Sequence, residues 1–221
     1  MEHTDTQSPY AEPPHDEAPQ RLGPPWEQPE RGNVLQRAWQ TLALVVSQPK
    51  AFFADMRLRG GLLPPLLFYA LVMAPSYLLS VIVGLPVDMA VGTTVGESLL
   101  AAGIGLVLMP FLIPIGLFIG AGITHLFLML LGGANQGFEA TFRVNGYAYG
   151  GLAWTMIIPV CGGLVFWVWG IVLEIIGLAD AHRVSTGKAA AAVLIPLAIG
   201  FALAICVSVV FGAALVAMFS N

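Results

Sequence analysis

Residues 99–131 read LLAAGIGLVLMPFLIPIGLFIGAGITHLFLMLL, thirty-three consecutive positions without Asp, Glu, Lys or Arg. A straight helix of that length measures about 50 Å at 1.5 Å per residue. The hydrocarbon layer of a bilayer is roughly 30 Å thick. The run is too long for one upright crossing and too short for two. Pro110 and Pro114 predict a bend, so the expectation is a single tilted helix that protrudes from the bilayer.

Similar runs lie on either side. A first span is read at Leu62 to about Val83, a third from Val144 to Cys161, a fourth from Leu164 to Ala179 and a fifth from Ala189 to Phe219, with a turn at Gly162-Gly163. The whole chain of 221 residues is 57% hydrophobic and 10% charged. Soluble domains carry about a quarter charged residues, so this chain lacks the polar cover to dissolve alone. The fold class expected is all-α: a polytopic membrane protein with five transmembrane helices.

Charge sets the expected orientation. All nine Lys and Arg residues fall in segments 1–61, 132–143 and 180–188. Five crossings with the N-terminus in the cytoplasm and the C-terminus outside place every one of them on the cytoplasmic side, as the positive-inside rule requires. Splitting 99–131 into two crossings would put Arg143, Arg183 and Lys188 outside, and is rejected.

Three regions follow. Residues 1–33 hold seven of the thirteen acids and seven of the sixteen prolines; such a tail cannot bury enough surface to order itself and reads as disordered. It offers polyproline geometry to a cytosolic protein partner. It holds no apolar signal region, so targeting is expected to use the first membrane helix. Residues 34–61 read as amphipathic interfacial helices. Asn33 is placed to cap the first, and the second, KAFFADMRLR, sets Phe52, Phe53 and Met56 against Lys50, Arg57 and Arg59. Residues 62–219 form the membrane domain.

Ionisable groups inside the spans are the natural place to seek function. His125 and Glu174 lie at similar depth from the same side, so they are a candidate intramembrane polar pair. Its functional version is a proton or cation site; its structural version, the favoured one, is an interhelical hydrogen bond or a glutamate reaching for the headgroups. Lys50, Arg57, Arg59, Arg143, Arg183 and Lys188 are candidate contacts for anionic inner-leaflet lipid or a partner, worth about 1 kcal/mol each at a charged surface. HRVSTGK is no phosphate loop, because His182 stands where glycine is required and Ala189 follows the lysine. Gly116/Gly120 and Gly146/Gly150 have the spacing that permits close helix approach, within one subunit or in a homo-oligomer. Cys161 and Cys206 form no CxxC pair, and no cofactor, metal or catalytic motif is present. Nucleic acid is excluded as a partner because the few basic residues lie against the membrane.

The run from His125 to Gly133, then Phe138, Thr141-Phe142-Arg143 and Tyr147, resembles the YIP (Ypt/Rab-interacting protein) family. Pro159, Gly162, Trp169 and GLADAHRVSTGKA from Gly177 to Ala189 extend the likeness, and Pro49-Lys50-Ala51-Phe52-Phe53 is similar to the entry motif of its prokaryotic members. The resemblance implies a five-helix membrane domain with a cytosolic N-terminus, and a place in the bacterial cytoplasmic membrane. Eukaryotic relatives act in vesicle traffic with Rab GTPases, but their Asp-Leu-Tyr-Gly-Pro hallmark is absent from residues 34–61, which argues against a Rab partner. The function expected is a non-enzymatic membrane organiser or partner-binding scaffold. The alternative is a small-solute or ion conductor with Glu174 and His125 at its mouth.

Overall fold

Asn33 and Thr94 each stand one residue before an apolar run, and each closes a reciprocal cap. The Asn33 side chain accepts from the Gln36 amide at 2.9 Å, and the Asn33 amide donates back to Gln36 at 3.1 Å. Thr94 and Glu97 repeat the arrangement at the start of the longest helix. Such boxes satisfy amides that a helix start otherwise leaves open. The structure, a computed structural model, describes residues 21–219, with the side chains of 213–217 and 219 left out.

Among the described residues seven α-helices follow in order: α1 Val34–Ser47, α2 Pro49–Asp55, α3 Leu63–Ala90, α4 Val95–Leu130, α5 Phe138–Leu152, α6 Gly162–Ala181 and α7 Thr186–Phe219. Of these, α3, α4, α6 and α7 are long and apolar enough to cross a membrane. Their outward faces carry exposed apolar side chains such as Leu100, Val107, Phe111, Leu164 and Phe201. That is a lipid-facing surface, and the protein is a multi-pass membrane protein. The run 99–131 forms one helix that continues through Pro110 and Pro114.

The expected count of five is corrected to four. The stretch read as a third span, 144–161, does not form a membrane-length helix. Instead α5 begins six residues earlier and stops at Leu152, followed by a 3-10 turn at Ala153–Ile157. Its fifteen residues reach about 22 Å, short of the layer. It is also sheathed: twelve of the fifteen are buried, Arg143 and Asn145 among them, and α1, α3, α4 and α6 pack around it. Small and polar residues suit that interior place and not a lipid-facing one. The assignment of the termini to opposite sides rested on five crossings and falls with it.

Glycine brings the sheath close. A Cβ on Gly146 would meet Pro65 at 2.7 Å, and one on Gly150 would meet the Phe68 ring at 2.9 Å. The Gly146/Gly150 spacing therefore serves α3 within this chain. By contrast, Gly116 and Gly120 have nothing within 4 Å of that position.

The segment read as disordered, 1–33, divides. Residues 1–20 lie outside the described residues. Residues 21–33 form two 3-10 turns, Pro25–Glu27 and Pro29–Arg31, that strap across one end of the bundle. The Trp26 indole donates to the Pro64 carbonyl at 2.7 Å and its amide to Thr41 at 2.8 Å. Arg21 pairs with Asp180 at 2.8 Å. Beneath the strap α1 turns Ala38, Thr41 and Val45 inward. Phe52, Phe53 and Met56, expected to face the headgroups, are buried where α2 packs on α6.

α4 and α6 end in the same way. Gly133 N donates to Leu128 O at 2.8 Å and Gly132 N to Met129 O at 2.9 Å, with Gly132 at φ 62°. Val184 N to Ala179 O and Arg183 N to Asp180 O repeat the pattern, with Arg183 at φ 51°. A left-handed residue here suits glycine and strains a side chain. Arg183→Gly is therefore expected to raise stability by about 1 kcal/mol, and Gly132→Ala to lower it by a similar amount. Thermal unfolding in detergent reads both.

Candidate functional site

Thr124 and His125 are consecutive on α4 and point into two different clusters. Thr124 donates to Glu174 Oε1 at 2.9 Å, and Tyr149 of α5 donates to Glu174 Oε2 at 2.9 Å. Glu174 is only 3% exposed, so both hydroxyls serve a buried carboxyl group. His125 turns instead to Thr141 of α5, whose Oγ1 lies 2.8 Å from His125 Nδ1 and 2.9 Å from His182 Nε2. His125 and Glu174 thus share a helix neighbour but no hydrogen bond.

The His–Thr–His chain has a direction. The Gln136 amide donates to His182 Nδ1 at 3.2 Å, so that nitrogen accepts. His182 then carries its proton on Nε2 and donates to Thr141, and Thr141 donates to His125 Nδ1. This tautomer follows from the network and not from a seen hydrogen. Burial, with His125 adding to it, pushes His182 down to about 4 from its usual 6.5. A histidine depressed on folding binds fewer protons native than unfolded. Its contribution is complete above pH 6.5 and is lost as pH falls toward 4. The melting temperature is therefore expected to fall across that window, by about 2–4 °C for each kcal/mol of this contribution that is lost. His182→Gln should flatten this part of the pH profile.

The cationic residues separate by burial. Lys50, Arg57, Arg59 and Arg183 are exposed, and Lys188 donates to the Gly132 carbonyl at 3.2 Å. Arg143, expected as a lipid or partner contact, is instead buried at the head of α5. Its Nε donates to Arg57 O at 2.7 Å, one terminal nitrogen to Gly61 O at 2.9 Å, and the other to the Glu27 carboxylate. Tyr147 donates to the same Glu27 oxygen. One helical turn before Arg143, Glu139 accepts from the Gly60 and Gly61 amides at 2.7 and 2.6 Å. Together α5 holds both the strap and the entry to α3. A buried charge requires such a partner, which is why Glu27 and Arg143 meet.

A cavity of about 970 Å³ opens beside Glu174, bounded by α3, α4, α5, α6 and α7. Leu117, Ile123, Ile171 and Leu197 supply apolar walls, with Asn145 and Tyr149 at the Glu174 end. Tyr149 and Thr124 were not singled out from sequence, and Thr141 was named only among the residues that carry the family resemblance. Their signal was position: Thr124 adjoins His125, and Tyr149 lies two residues beyond Tyr147. Among the described residues no cluster of three His, Cys, Asp or Glu could hold a metal ion.

No curated protein and no solved structure gives a significant match to this sequence. The family comparison is positive: the model of the Yip1 domain matches residues 43–218. That interval takes in α2 through α6 entire, the Glu139 and Arg143 grip, the His125–Thr141–His182 chain and Glu174 with its cavity. A match over most of the chain, agreeing with a helical membrane bundle, shows that the chain belongs to the Yip1 domain family.

Proposed function

We propose that this protein is a non-enzymatic membrane-organising scaffold that presents its strapped end to a protein partner beside an anionic leaflet. The observation carrying the reading is the outer face of α1, where Leu35 is 72% and Trp39 is 68% exposed, one turn apart. The opposite face of α1 is fixed on α5, so these two apolar side chains are held rigidly at the end of the bundle that carries Lys50, Arg57 and Arg59. Apolar anchors with cationic flanks suit an interface with lipid headgroups and with a protein docked there. The basic end would face the anionic leaflet of a bacterial cytoplasmic membrane, and residues 1–20 would extend the docking surface.

Purification from native membranes tests this. The full chain is expected to retain one protein partner that is lost from a variant lacking residues 1–20 or carrying Leu35→Ala and Trp39→Ala, and kept by Glu174→Gln. Deleting 1–33 would be a poor test, because it strips Glu27 from Arg143 and unsettles the fold. Reconstituted vesicles that pass a solute, with passage blocked by Glu174→Gln, would replace the scaffold by the conductor.

A further inference from the structure

The cavity beside Glu174 has the size of a small-molecule site, which commonly measures about 300–1,000 Å³. Its lining contains one carboxyl group and no Lys, Arg or His. Thr124 and Tyr149 each donate to one of its oxygens, and the Asn145 side chain stands beside them in the same lining. Tyr149 also belongs to a group of three aromatic rings that line the cavity two turns further along α6. Tyr149 and Phe166 have centroids 5.5 Å apart, Tyr149 and Trp167 6.1 Å, and Phe166 and Trp167 5.8 Å. The cavity reaches the outer surface at Gly116, Trp167 and Phe201, which are exposed on the lipid-facing side.

We propose that this cavity binds a lipophilic organic cation, an alkylammonium whose charge sits between the Glu174 carboxylate and the Tyr149 ring, with Phe166 and Trp167 lining its way in. Its apolar chain lies between α4 and α7 along Gly116, Gly120 and Leu197. A carboxyl group in hydrocarbon stays neutral unless a counter-charge joins it, so an organic cation is the ligand that would draw out its charged form. Ring faces attract ammonium groups most strongly where water is absent. A phosphate-bearing headgroup is disfavoured, since its negative charge would oppose Glu174 with no basic side chain in the lining. A small divalent ion is disfavoured, since Glu174 is the one charged oxygen ligand in the lining. The proposal stands apart from the scaffold reading, and either can fail without the other.

The test uses the full chain in lipid nanodiscs with tritiated decyltrimethylammonium, held below its micelle-forming concentration. Saturable binding is expected, weakened about tenfold or more by Glu174→Gln, and not displaced by decanol or decyl sulfate. Gly120→Leu provides a second variant. Nothing stands within 4 Å of its Cβ position, so it should keep the wild-type melting temperature while its side chain fills the cavity and abolishes binding. The proposal is overturned by absence of saturable binding, by equal displacement with decanol, or by wild-type affinity in either variant.

Discussion

Arg143→Ala is expected to cost about 3–5 kcal/mol of stability, the range for breaking a buried ion pair by removing one partner. The side chains of Arg143 and Glu27 are 0% and 6% exposed. Deleting the guanidinium leaves the Glu27 carboxylate buried with only the Tyr147 hydroxyl, and it orphans the carbonyls of Arg57 and Gly61. Arg143→Lys should recover little, because one ammonium group cannot serve two carbonyls and a carboxylate lying in three directions. Glu27→Gln combined with Arg143→Met should be less damaging than the sum of the two single changes, since the pair disappears together. Chemical unfolding of the wild type, Glu27→Gln, Arg143→Met and the double variant in detergent measures the coupling directly. An Arg143→Ala protein within 1 kcal/mol of wild type would refute the account.

Gly150→Leu is expected to destabilise by about 3 kcal/mol or more, at or above the usual upper end for overpacking. Its Cβ would stand 2.9 and 3.0 Å from the Phe68 ring and 3.1 Å from the Tyr69 Cα. A ring can turn aside, but the Tyr69 backbone belongs to α3 and moves only with that helix. Gly120→Leu, in the same domain and with the same added volume, is expected to leave stability unchanged. The contrast between them, read as melting temperatures, separates crowding from the general cost of filling a glycine.

The class of fold was legible because lipid imposes a length and a composition, and residues 99–131 satisfy both. Asn33 was legible as a cap for the same local reason: its side chain needs only the next turn of chain. The third span was misread because 144–161 lacks charge, and absence of charge does not distinguish a helix facing lipid from one enclosed by other helices. What separates them is the stop at Leu152 and the glycines at 146, 150 and 151, each pressed by a neighbour from α1 or α3. Arg143 was misread as a surface anchor because its partner is Glu27, 116 positions away, and no local pattern joins them. His125 was singled out by scarcity. Applying the same scarcity to His182, instead of weighing it only as part of a phosphate loop, would have suggested the chain through Thr141.

The strap also bears on the order of assembly during synthesis. Residue 27 leaves the ribosome long before residue 143, so Glu27 has no counter-ion while α1, α2, α3 and α4 are being made. The beginning of the described chain therefore locks only after α5 has been translated and tucked between its neighbours. A nascent chain arrested before residue 138 would hold its first helices in place with the N-terminal segment still open to proteases, and completing α5 would shut it.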